Sequence, residues 1–179
     1  MIIPILIGVA SVILIFLVIV ELLPNEFRVT RSAAIAASQA VVFAQINDFH
    51  KWEAWSPWAK LDPAARNSFE GAPAGVGAIF TWSGNKKIGE GRMTITDSHP
   101  SDLVRLNLEF IRPFPGKSVT EFTFKPNANN QTVMTWTMTG KHSFIAKAFC
   151  LFMNMDKMVG GDFEKGLAQI KIISEAAAK

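Results

Sequence analysis

The hydrophobic pattern of this chain changes period twice. From Ile2 to Leu23 almost every position is apolar, and only Pro4, Gly8, Ser11 and Glu21 interrupt it. As an α-helix a run of about 22 residues extends about 33 Å, enough to cross a hydrocarbon core of about 30 Å. It has no polar face, so it does not read as the amphipathic helix of a soluble core. Pro24-Asn25 ends it, because proline interrupts a continuing helix.

The period then becomes two. Glu26 to Ala36 predicts a strand, with Phe27, Val29 and Arg31 on one face and Arg28, Thr30 and Ser32 on the other. Ser38 stands at the N-cap of a short helix predicted over Gln39 to Asn47, with Val42, Phe43 and Ile46 on one side. Asp48 to Trp58 predicts a helical turn and then a loop, with Trp52, Trp55 and Trp58 at steps of three and Pro57 closing the turn. Asp62-Pro63 and Gly71 to Gly77 mark further turns.

From Ala78 the alternation is plain. Its apolar positions are Ala78, Phe80 and Trp82; Gly91, Met93 and Ile95; Val104, Leu106, Leu108 and Phe110; Thr120, Phe122 and Phe124; and Met134, Trp136 and Met138. The positions between them are rich in threonine and charge. Short turns at Ser83 to Lys87, Pro113 to Gly116 and Asn127 to Asn130 join these segments, which predicts an antiparallel meander covered on one face and wet on the other. From about Ser143 the period becomes helical, with Phe149, Phe152, Val159, Phe163, Ile170 and Ile173 at steps of three, four and seven. Gly160, Gly161 and Gly166 interrupt that helix at up to about 1 kcal/mol each, so close packing or a bend is expected there. The expected architecture is α+β: residues 1–24 as one transmembrane anchor, then a single domain over residues 25–179 with a curved antiparallel sheet around a long C-terminal helix.

Composition and charge narrow the class. No Lys or Arg precedes the apolar run, the run exceeds the 7–15 residues of a signal-peptide core, and no A-x-A exit follows it directly, so it reads as an uncleaved single-pass anchor. Arg28 and Arg31 lie just after it, which by the positive-inside rule favours a cytoplasmic domain; two charges leave a periplasmic one open. A single cysteine, Cys150, excludes an internal disulfide. The net charge of +3 is spread without a run of like charges, so no nucleic-acid partner is expected. Nothing in the pattern speaks to oligomeric state.

The order strand, small helices, curved sheet and long helix is that of the helix-grip fold. Several segments carry a further likeness: Arg31-Ser-Ala-Ala-Ile-Ala-Ala with Val42-Phe43, Trp52-Glu-Ala-Trp-Ser-Pro-Trp58, Gly75-Val-Gly-Ala-Ile-Phe-Thr-Trp82, Gly89-Glu-Gly-Arg-Met93, Asp156-Lys-Met and Gly161-Asp-Phe-Glu-Lys-Gly-Leu167. On these the chain, from about Phe27 to Ile173, resembles the START-like polyketide cyclase/dehydrase and lipid-transport superfamily (SRPBCC, helix-grip). The resemblance implies a hydrophobic cavity between sheet and long helix that takes lipids, polyketides or similar molecules. It carries no universal catalytic motif, so it implies no catalytic residue.

The residues expected to line such a cavity are Phe80, Trp82, Met93, Phe110, Phe122, Phe124, Met134, Trp136 and Met138 from the sheet, and Phe152, Asp156, Val159 and Phe163 from the helix. Trp52, Trp55 and Trp58 either line its mouth or plug the end of the core with their N–H groups bonded to loops. Asp156 falls on the apolar stripe, where it either fixes a ligand head group or pairs with a backbone amide, an arginine or an indole N–H. Arg92, Arg105, Glu109, Glu121 and Lys125 all fall on the wet face, so the inward face offers little for acid–base catalysis. His50, His99 and His142 lack metal-ligand spacing, and no cofactor or metal is expected. These readings point first to a membrane-tethered binding or carrier domain for a lipid or other apolar small molecule. The alternatives are a cyclase-type or dehydrase-type enzyme using the same cavity, and an interaction module whose core is filled.

Overall fold

The computed structural model describes residues 2–178; Met1 and Lys179, the outer limits of the two expected segments, lie outside the described residues. The apolar run forms one helix, α1 (Ile2–Leu22), whose side chains face outwards until Val20, which is fully buried. Its single hydroxyl is satisfied locally, because Ser11 Oγ donates to the Ile7 carbonyl at 2.9 Å.

Seven strands follow: β1 (Glu26–Ile35), β2 (Arg66–Gly71), β3 (Ala78–Ser83), β4 (Glu90–His99), β5 (Leu103–Arg112), β6 (Gly116–Pro126) and β7 (Thr132–Lys141). They form one antiparallel sheet in the order β1-β7-β6-β5-β4-β3-β2, so the first strand closes onto the last and the rest is a meander. The faces are those the alternation predicts. Val29, Ile95, Val104, Leu106, Phe122, Phe124, Met134, Trp136 and Met138 are buried. A bulge between Ile95 and Asp97 bends β4, as an extra residue in one strand does. Strand β2 has no counterpart in the sequence pattern. Arg66 to Gly71 shows no apolar alternation and all of it is exposed, so it owes its form to pairing with β3 at the sheet edge.

Between β1 and β2 lie α2 (Gln39–Ile46), a 3₁₀ turn (Phe49–Lys51) and α3 (Trp52–Trp55). Ser38 occupies the N-cap position of α2 with extended backbone, but its side chain makes no capping bond. Val42 and Ile46 are fully buried, as expected.

The C-terminal helix differs from the expectation in one respect that matters. It is two helices, α4 (Phe144–Cys150) and α5 (Met155–Ala177), with a break at 151–154. The stop comes from Asn154, whose Oδ1 accepts from Lys157 N at 2.9 Å and so caps a new helix. The break rotates the register of everything before it. Phe149 and Phe152 therefore leave the apolar stripe, and Phe152 is 80% exposed in the turn. Phe152 thus faces away from the sheet–helix interior to which the sequence pattern assigned it.

Helix α5 packs chiefly on β1, with α2 and α3 beside it. Two of its three glycines are needed for this. A Cβ at Gly160 would collide with the Arg31 guanidinium, and one at Gly166 would sit 2.8 Å from the Trp136 ring. Gly161 faces open space. The three sites therefore separate on substitution. Gly161→Ala is expected to stabilise the protein by up to about 1 kcal/mol through helix propensity. Gly166→Ala is expected to cost about 1–3 kcal/mol through overpacking against Trp136. Urea titration of the full-length protein in detergent measures both.

Candidate functional site

The concave face of the sheet is graded along the strands. At its deep end, Phe122, Phe124 and Met134 are fully buried and Trp136 is nearly so. Here α5 closes directly on the sheet: Phe163 stacks on Trp136 with centroids 4.0 Å apart and planes at 9°. Trp58 meets both rings edge-on, at 5.9 Å from Trp136 and 6.5 Å from Phe163. Trp52 and Trp55 are buried beside Phe122, and their indole N–H groups donate to the Ile46 carbonyl at 2.9 Å and the Gln45 carbonyl at 3.1 Å. Two of the three tryptophans thus bind the end of α2 to the core.

At the other end of the strands the same face is less covered. Phe80, Trp82, Met93 and Leu108 are half-buried, and Phe110 is 41% exposed. The indole of Trp82 is held by a bond to the Ile88 carbonyl at 3.0 Å and lies where Gly91 leaves room for it. Strand β5 ends here, β6 begins and β7 runs out towards α4, so this open end is also the end from which α1 departs. Two open depressions of about 450 and 430 Å³ flank the domain. One lies at the 150–155 turn, the other over β2 to β4 beside Arg66, Glu90 and Arg92. Neither lies between α5 and the sheet.

Two polar atoms on this face are buried without a partner among the described residues: Ser118 Oγ and Trp136 Nε1. Each such group costs about 1–3 kcal/mol when left unpaired, so each is a natural contact for a water or a ligand oxygen. Ser118 pairs in register with Leu108 and Gly140, which places it between half-buried neighbours. The sequence pattern passes over it because Gly116-Lys117-Ser118 follows the Pro-Phe-Pro turn and carries no apolar alternation of its own.

Asp156 lies elsewhere. It sits in the first turn of α5 with its side chain 56% exposed, and it accepts from Arg31 Nη1 at 3.0 Å and Nη2 at 2.9 Å. Arg31 also donates from Nη2 to the Asp156 carbonyl at 3.0 Å and from Nε to Glu164 Oε1 at 2.8 Å. The geometry is that of an aspartate paired with an arginine. It clamps α5 to β1 across Gly160. Val159 and Phe163, one and two turns further on, do pack into the core.

The hydrogen bond from Arg31 holds the Asp156 carboxyl below its ordinary value, and the two carboxylates raise Arg31 in turn. A lowered folded-state value contributes stability above the unfolded carboxyl value of 3.8, and that contribution is lost as pH falls through the folded value. The thermal midpoint of Asp156→Asn is therefore expected to fall below that of the parent at neutral pH. The gap is expected to close as pH drops below about 3.8. Thermal melts across pH check this.

A family model described as polyketide cyclase / dehydrase and lipid transport matches residues 26–175. No curated protein matches the sequence. Solved structures share the fold at low identity. A crystallised protein from Chromobacterium violaceum has a TM-score of 0.58 at 15% identity, covering 86% of this chain and 99% of that one. The Aha1 dimer from Colwellia psychrerythraea has a TM-score of 0.59 at 15% identity, covering 83% and 96%. The di-domain ARO/CYC StfQ from the steffimycin biosynthetic pathway has a TM-score of 0.60 at 11% identity, covering 86% of this chain and 52% of that one. With strand order, long C-terminal helix and family model all in agreement, the chain belongs to the polyketide cyclase / dehydrase and lipid transport family.

Proposed function

We propose that residues 25–179 form a binding or carrier domain for a lipid or similar apolar molecule, and that residues 1–24 anchor it in a membrane. The observation that carries the reading is the graded concave face. Aromatic and methionine side chains line it, and its cover thins from the α5 end towards the α1 end. An apolar ligand partitions into bilayers, so a wall that opens towards the anchor faces its supply. The charges of the outer face contribute none of the wall: Arg105 pairs with Asp97 and Glu121, and Glu109 with Lys117. An uncleaved anchor is further supported by the junction, where Val20 is buried and the Glu21 carbonyl accepts from Lys147 Nζ. A helix end that takes part in the packing of its domain suits an anchor better than a leader to be removed.

One observation favours a second reading. The Phe163 stack on Trp136, with Trp58 across both, occupies the space between α5 and the sheet. A core filled in this way suits a domain that acts by surface contact.

Native mass spectrometry of the full chain, released from membranes in mild detergent, decides between them. The carrier reading expects a discrete lipid-sized adduct. It also expects Leu108→Trp, which narrows the half-buried wall, to weaken uptake at least about tenfold, equivalent to about 1.4 kcal/mol. A clean apo mass that takes up nothing from a lipid extract overturns the carrier reading in favour of the filled core.

A further inference from the structure

Helix α4 and the turn after it display apolar side chains to the outside. Phe144, Ile145, Phe149 and Met153 are exposed, and Phe152 is 80% so. Phe114, in the turn between β5 and β6, is 65% exposed, and its ring lies 6.1 Å from that of Phe149. Single exposed apolar residues are ordinary on a protein surface, whereas a contiguous group of large ones marks a contact.

The fold indicates what makes that contact. Lys147 points the other way from these residues and is only 4% exposed, and its Nζ donates to the Glu21 carbonyl at 3.1 Å. That carbonyl is one of those a helix C-terminus leaves without an internal partner, and the negative end of the helix dipole favours a cation there. Helix α4 is thereby fastened to the last turn of α1. Helix α1 has 21 residues, about 32 Å at 1.5 Å per residue, which matches a hydrocarbon core of about 30 Å with little to spare. Once α1 spans a bilayer, Glu21 lies at the hydrocarbon boundary, and α4 lies within one lysine side chain of it. That is the depth at which apolar faces of interfacial helices settle.

We infer that α4, the 151–153 turn and the Phe114 turn form one membrane-seated face, dipping into the headgroup–acyl boundary of the same bilayer that α1 crosses. The inference rests on the reading of α1 as an anchor and adds to it a second contact. A single spanning helix by itself leaves the tilt of the domain against the bilayer unset. Two contacts fix its orientation, with the less covered end of the concave face turned towards the lipid.

The test uses the full chain with Cys150→Ser, reconstituted in vesicles of phosphatidylcholine and phosphatidylglycerol. An environment-sensitive fluorophore is attached at one of three engineered cysteines: Phe152→Cys in the proposed face, Ile13→Cys within α1, or Asn129→Cys in the β6–β7 turn at the far end of the sheet. All three positions are exposed, so the label leaves the core intact. Lipids spin-labelled near the headgroup or deep in the acyl chain serve as quenchers. The expected result is several-fold stronger quenching at 152 than at 129 by the shallow label, with 13 quenched by the deep one. Quenching at 13 with 152 no better quenched than 129 overturns the membrane-seated face and leaves the anchor standing. The exposed apolar group then serves another occupant, such as a second copy of the chain. No quenching at 13 removes the anchor reading, and the inference falls with it.

Discussion

The seam between β1 and α5 is the contact on which the rest of the architecture depends. β1 closes the meander by pairing with β7, and α5 lies on β1 more than on any other strand. The seam works because two side chains of α5 are missing. Gly160 admits the Arg31 guanidinium and Gly166 admits the Trp136 ring. Arg31 then bonds Asp156, Glu164 and a main-chain carbonyl of the helix. Arg31 is about one-quarter exposed and its partners more so, so solvent screens these pairs. Their contribution is directional: they set the rotation of α5 about its axis and thereby which residues face the sheet.

That rotation accounts for the grading of the concave face. With Phe163 and Leu167 directed inwards, α5 seals the deep end over Trp136, and its cover weakens along β3 to β5, where Phe80, Met93, Leu108 and Phe110 lie. The break at Asn154 has the complementary effect. A continuous helix would have carried Phe149 and Phe152 over this region as a lid. The cap at Asn154 starts a new helix instead, and the detached turn of helix that precedes it swings to the end of α1. The same short stretch of chain thus leaves the wall open and builds an apolar patch beside the end of α1.

Charge is placed to match. Several charges of the sheet pair with one another: Arg105 with Asp97 and Glu121, Glu109 with Lys117, and Arg112 with Glu90. On the inward face Arg31 is taken up by α5, and two neutral polar atoms, Ser118 Oγ and Trp136 Nε1, lack partners among the described residues.

Much of this was determined by the sequence alone. Period-two alternation is a local property, and a one-residue slip would turn every side chain to the wrong face, so the alternation by itself assigns the residues of β3 to β7 to their faces. The apolar run of α1 and the inward setting of Val159 and Phe163 follow in the same way. What the tertiary structure alone decided has a common physical cause, namely a partner outside the local pattern. β2 has no apolar alternation and exists because β3 offers it an edge. Asp156 sits at an apolar spacing yet turns outwards, because Arg31, 125 residues away in sequence, draws it there. Phe152 fits the helical period on paper and leaves it, because a single capping asparagine outweighs periodicity at that point. Ser118 stands out only because its neighbours leave it unbonded. Local pattern sets which side of an element is apolar; only packing decides which of those apolar sides remain open.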